Sequence, residues 1–422
     1  MRTTRLARLL AVLLVGSLVV AACGDDGGST EATGTTAGTS GGTTTTVGGN
    51  RASGDPILVG FVNLEESPVA SFPEAREAAL AAADYVNEEL GGVGGRPLEL
   101  VVCTTTGLPE ASEKCANELV EKGVVLVTAG ADLGTAVSLP ILEAAGIPFV
   151  GTAAVNLTEY SAPNSYLFVG GSLVEWLAQD RFVAETLQAK KVAMLHADIP
   201  EGALAATTFG KDILTELGVT DVTLVPEDQN APDFTPALSI VADGDPDAVM
   251  VMLAGQACVG VMQAKEALGL EMPFLYSGGC SAAAILEAGG SGAEGDYFST
   301  EMTYYEDTSD EDVAVFREKL DQYGPDEPTL SLLAQIGFSN VMNLWELLNG
   351  IDADAVSPES VVTALQATKD QHNFMAHPYT CDRQQVALTP AVCDTHALIY
   401  RYEGGAMVDV GGGWISGTDL LG

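Results

Sequence analysis

The sequence predicts an α/β protein of two doubly wound lobes, and three observations carry that prediction. Short apolar runs alternate with stretches of helical periodicity from Ile57 onward. The alternation pauses after Gly151 and restarts at Lys191. About 370 residues follow the N-terminal region, long for one core and comfortable for two.

Ile57–Phe61 reads as the first strand. The helix after it begins where Ser71 and Glu74 have capping-box spacing, and Ala75, Ala79, Ala82 and Val86 fall on one face. Gly91-Gly92 ends it. Leu98–Val102 is the next strand, and Glu110–Lys122 the next helix, stopped by Gly123. Val124–Ala129 is apolar without alternation, as in a strand covered on both faces. A helix over Leu133–Ala145 and a strand over Ile147–Gly151 complete four β-α repeats, the signature of a parallel sheet.

The second set has strands at Lys191–His196, Val222–Val225, Ala248–Leu253 and Phe274–Ser277. Helices over 204–217, 235–242 and 259–268 separate them, two closed by Gly218 and Gly269. Beyond Tyr297-Phe298 come two longer helices, over 311–323 and 330–348. Ala397–Tyr402 and Met407–Val410 form a hairpin around Gly404-Gly405.

The N-terminus predicts export. Arg2, Arg5 and Arg8 precede an apolar run, Leu9–Val20, that is short of the roughly 20 residues a membrane span wants. Val20-Ala21-Ala22-Cys23 resembles the bacterial lipobox, which implies a signal peptide over 1–22 and a lipid on Cys23. Residues 24–54 are nearly all Gly, Thr, Ser and Ala, a composition that makes a tether rather than a core. The chain holds 18 Lys and Arg against 58 Asp and Glu, a net charge of −40 that argues against nucleic acid or anionic headgroups as partners of the folded body. Membrane contact is then through the lipid alone.

Setting Cys23 aside leaves six cysteines as near neighbours: Cys103 and Cys115, Cys258 and Cys280, Cys381 and Cys393. Six allow 15 connectivities. Local bridges are the expectation, because an oxidising exterior favours disulfides and each pair falls within adjacent elements.

Ile57–Ser281 resembles the type I periplasmic binding proteins, in particular the leucine/isoleucine/valine-binding receptors of ABC transporters. The segments that carry the resemblance are Gly92-Val93-Gly94-Gly95-Arg96-Pro97-Leu98, Ala145-Gly146-Ile147-Pro148, Ala189-Lys190-Lys191-Val192-Ala193, and Leu268-Gly269-Leu270 with Pro273-Phe274. It is their order and spacing that are specific. The resemblance implies two lobes joined by a three-stranded hinge, one from 55–172 plus 300–375 and the other from 173–299 plus 376–422. It also implies a small solute bound in the cleft at the carboxyl ends of the strands, and an ABC permease as partner. A sensory receptor on the same fold is the alternative. No cofactor is implied.

Site candidates follow from the same resemblance. Asp132 stands where amino-acid-binding relatives carry a small hydroxyl residue for the ligand carboxylate; it is either a ligand contact or a plain helix cap. Thr135 is one turn on. Ala153, Ala154 and Val155 match a loop that offers backbone groups, and Val155 replaces a hydrogen-bonding Thr. Phe72 matches an aromatic cover. In the second lobe the candidates are Asp198, Glu201, Gln256 and Gly278, the last standing where relatives place an acid for the α-amino group. Asp132, Val155 and Gly278 depart from the pattern that holds a zwitterion, so the expected solute is neutral or cationic rather than a simple branched-chain amino acid.

Enzyme signatures are weak in the sequence: no P-loop or H-E-x-x-H occurs, the one G-x-S-x-G run, Gly38–Gly42, falls in the Gly/Thr-rich segment with no strand before it or helix after it, and His196, His372, His377 and His396 lack metal-binding spacing.

Overall fold

A computed structural model describes residues 51–421 apart from 66, 68–70, 152, 153, 155 and 156. Cys23 and the N-terminal segments lie outside the described residues.

The first run is β1 (Ile57–Leu64), α1 (Pro73–Glu88), β2 (Leu98–Thr105), α2 (Pro109–Lys122), β3 (Val127–Ala129), α3 (Thr135–Ala144), β4 (Phe149–Val150), α4 (Leu157–Ser161) and β5 (Ser165–Tyr166). Its strands form a parallel sheet in the order β2-β1-β3-β4-β5. The second run is α5 (Gly171–Arg181), β6 (Lys191–Ala197), α6 (Pro200–Ala206), α7 (Asp212–Glu216), β7 (Asp221–Glu227), α8 (Thr235–Asp243), β8 (Ala248–Met252), α9 (Gln256–Leu268), β9 (Phe274–Ser277), α10 (Ala283–Gly289) and β10 (Tyr297–Thr300). The chain then supplies α11 (Glu311–Tyr323), α12 (Leu332–Asn349), α13 (Pro358–Ala367), β11 (Gln371–Asn373), β12 (Ala376–Tyr379), β13 (His396–Glu403), β14 (Ala406–Asp409) and β15 (Ile415–Ser416). The second sheet has the order β14-β13-β10-β9-β8-β6-β7, parallel from β7 to β10 and antiparallel through β13 and β14.

Both sheets are therefore doubly wound α/β layers, as the alternation predicts. After β10 the chain returns to the first sheet, where α11 and α12 lie on α1. Ala78 and Ala82 of α1 share one core with Phe316, Phe338, Val341 and Leu344. Small residues let the helices approach closely: a Cβ on Gly337 would sit 2.0 Å from the Ala75 carbonyl oxygen. The tail then crosses back, and β13 and β14 extend the second sheet in the hairpin expected, with Glu403 opposite Ala406.

Three local expectations fail. The first helix starts at Pro73, with Phe72 rather than Ser71 at the capping position and no side-chain cap from it. The helix expected over 204–217 is α6 and α7 joined by a π-helical turn, Thr207–Lys211. The fourth strand is only Phe149–Val150. The cysteines pair locally: Cys103–Cys115 ties β2 to α2, Cys258–Cys280 ties α9 to the turn after β9, and Cys381–Cys393 closes the loop between β12 and β13.

Candidate ligand-binding site

A cavity of about 260 Å3 opens where the carboxyl ends of the two sheets meet. The first sheet contributes Ala131 after β3 and Ala154 after β4, with Phe72 at the start of α1. The second contributes Gln229 after β7, Leu253 and Ala254 after β8, Ser277 and Gly279 at the end of β9, and Glu301 after β10. The first turns of α5 and α12 close it with Ser172, Glu175, Trp176, Leu332, Leu333 and Ile336. Loops at the carboxyl ends of parallel strands are free to vary without disturbing the sheet, which is why such a site forms there.

Most of this lining is apolar, and two carboxyl groups interrupt it. Glu175 and Glu301 are both buried and hydrogen-bonded to each other. The main-chain N–H of Gly278 donates to Glu175 Oε1 at 2.9 Å. Burial first, and then the charge of Glu301, holds the Glu175 carboxyl well above its ordinary range. Burial also raises Glu301, while the hydrogen bond from Glu175 opposes that rise. Two buried carboxyls in hydrogen-bond contact favour holding a proton between them. Two ionised carboxylates about 4 Å apart would repel by about 4 kcal/mol at an effective dielectric of 20, enough to retain it. Glu301 Oε2 and Trp176 Nε1 are buried without a hydrogen-bond partner in the protein. No Lys, Arg or His lines the cavity among the described residues.

Of the residues expected from sequence, Phe72 and Ala154 line the cavity. Ala153 and Val155 lie outside the described residues. Asp132 is a correction. It is buried, and its Oδ1 accepts from Ser112 Oγ at 2.6 Å, Gly134 N–H at 3.0 Å and Thr105 Oγ1 at 3.4 Å. The carboxylate therefore braces the β3–α3 turn instead of facing the cavity. It does not cap α3 either, since Gly134 holds that position. Thr135 is buried in the first turn of α3 and is not part of the lining. Asp198, Glu201 and Gln256 are exposed and also stand off it, because their side chains project from loop and helix starts towards solvent. Gly278 contributes only its N–H, and a Cβ there would meet Glu175 Oε1 at 2.7 Å and the Ser299 carbonyl oxygen at 2.9 Å. The position expected to hold an acid is filled by the carboxyl of Glu175 reaching in from α5.

Glu175, Trp176 and Glu301 are the residues that sequence reasoning missed. One signal for Glu175 is its place in Leu173-Val174-Glu175-Trp176-Leu177-Ala178, a lone acid in an apolar run.

The periplasmic binding protein family matches residues 56–391. The chain belongs to that family. Several solved structures share this fold. A leucine-binding protein from Thermotoga maritima is 19% identical, with a TM-score of 0.69 over 86% of this chain and 99% of its own. A branched-chain amino acid ABC transporter protein from Thermus thermophilus, solved with valine, is 17% identical, with a TM-score of 0.72 over 84% of this chain and 95% of its own. A solute-binding protein of an ABC transporter from R. palustris, solved with 4-hydroxybenzoate, is 18% identical, with a TM-score of 0.70 over 86% of this chain and 97% of its own. No curated protein matches in sequence. Family members are extracytoplasmic binding proteins, and no helix among the described residues is long and apolar enough to cross a membrane.

Proposed function

We propose that this periplasmic binding protein is exported, anchored through a lipid on Cys23, and delivers a small amine-bearing solute with an apolar body to an ABC importer. The observation that carries the ligand class is the Glu175–Glu301 pair, with its free Oε2, in a cavity that has no basic side chain in its described lining. An ammonium group is the natural complement: it donates up to three hydrogen bonds and supplies the charge that lets both carboxyls ionise. The apolar portion of the solute packs against Phe72, Leu253, Leu332 and Ile336, and Trp176 Nε1 offers one donor to an acceptor on the same molecule. A carboxylate solute meets the opposite situation, since its charge faces two acids and no cation. A solute touching both sheets favours the closed arrangement, which a permease can read through differential affinity. The protein binds and releases; it performs no chemistry on the solute.

Thermal melts across primary amines, amides, polyols and carboxylic acids test the assignment. Small amines with an apolar body are expected to raise the melting temperature, while leucine, valine and aromatic carboxylates leave it unmoved. Tight binding of leucine, at about micromolar dissociation constant or below, would overturn it.

A further inference from the structure

The fold joins two histidines that are 19 positions apart in sequence. His377 lies on β12 and His396 opens β13, and both ring Nδ1 atoms reach the same oxygen of Asp394, Oδ1, at 3.1 and 2.8 Å. The rings stack with centroids 3.6 Å apart, and the edge of Trp414 lies against His377. Asp394 is buried, and its second oxygen, Oδ2, has no partner in the protein. The two histidines remain about a quarter exposed, so the cluster is open to solvent from one side.

We infer that His377, Asp394 and His396 form a binding site for a divalent transition metal of the zinc type, built into the connection between β12 and β13. One donor atom from each residue lies within 4.8 Å of the other two. Donor atoms around a tetrahedral zinc with bonds of about 2.0–2.1 Å lie roughly 3.3 Å apart, so the two nitrogen–oxygen distances need to open by only a few tenths of an ångström. Two imidazoles and one carboxylate suit zinc better than magnesium, which prefers an all-oxygen shell. The fourth position falls to water on the exposed side. The frame is already fixed. The Cys381–Cys393 bridge adjoins Asp394, Asn373 Nδ2 donates to the His377 carbonyl at 2.9 Å, and His396 pairs with Ser416 of β15. His372 provides a contrast, because each of its ring nitrogens has its own carboxylate, Glu346 and Asp312, both at 2.9 Å. Those two acids stand on separate helices and saturate the ring.

The test is titration calorimetry and thermal melting of the purified protein with zinc sulfate, with magnesium sulfate as control for the 58 Asp and Glu of the chain. One zinc per chain is expected, with a rise in melting temperature that magnesium does not reproduce. The double variant H377Q/H396Q should lose zinc affinity by roughly a hundredfold or more, and H372Q should keep it. Cobalt(II) added to the unmodified protein should give the strong visible absorption of tetrahedral coordination, a readout that does not depend on the folding of any variant. Equal responses to zinc and magnesium, full zinc affinity in H377Q/H396Q, or a cobalt spectrum like that of the aqueous ion would each overturn the site and leave the cluster a structural crosslink.

Discussion

Glu175 and Glu301 tie the chemistry of the cavity to pH. In the free protein burial, chiefly, holds the Glu175 carboxyl well above its usual range. A cationic solute favours the ionised form of both groups, so its binding expels the proton between them. The sign follows. Below the raised pKa of Glu175, each fall of one pH unit should weaken binding by up to about tenfold, because one proton must leave. Above it, affinity should level off until the amine itself loses its charge. Calorimetry at several pH values, in two buffers of different ionisation enthalpy, reads the number of protons released, and close to one is expected on the acid side. Glu175→Gln keeps an acceptor for the Gly278 N–H and fits the same space. It should weaken amine binding by about 1.5–3 kcal/mol, the worth of a charged hydrogen bond, and flatten the pH slope. A pH-independent affinity with no proton release would mean that the solute is not cationic.

At the scale of elements, what was legible depended on whether a residue's role is local. Strand and helix alternation is a local pattern, and β1, β6, β8 and β9 fall where the apolar runs put them. Asp132 is expected from sequence to open the helix after β3, but it lies in the turn ahead of α3, its partner Ser112 comes from α2, and only the packed structure turns the carboxylate inward. Glu301 was invisible for the same reason, since its importance comes from Glu175 across a long stretch of chain. The contact between α1 and α12 makes this concrete. Gly337 in α12 reads in sequence as a weak helix former, yet the Ala75 carbonyl lies where its Cβ would go. Gly337→Ala raises helix propensity by about 1 kcal/mol and should nevertheless destabilise the protein by about 1–3 kcal/mol through overpacking. Chemical denaturation would show it as a lower midpoint with an unchanged slope; a stabilised variant would mean that the two helices can separate without loss.

At the scale of the whole molecule, the chain carries a net charge of −40, and the lipid proposed on Cys23 would be its hydrophobic attachment. The two-sheet architecture was readable because each sheet repeats one βα pattern, and the return of α11 and α12 to the first sheet was readable only through the resemblance. The proposed anchor rests on the sequence around Cys23. A net charge of −40 repels the body from anionic headgroups, so electrostatics cannot hold the protein to a membrane. Under the proposed anchoring, attachment rests on the lipid. If the Gly- and Thr-rich composition of 24–54 makes the expected tether, such a segment would span roughly 30 Å on average, enough for the body to stand clear of the headgroups and turn towards a permease. Cys23→Ala should therefore shed the protein into the medium with its solute affinity unchanged. Detergent, but not high salt, should release the unmodified protein from membranes, because salt screens charges and leaves acyl chains buried. Retention of the Cys23→Ala variant in the membrane fraction, or release of the unmodified protein by salt alone, would show that another contact holds it there.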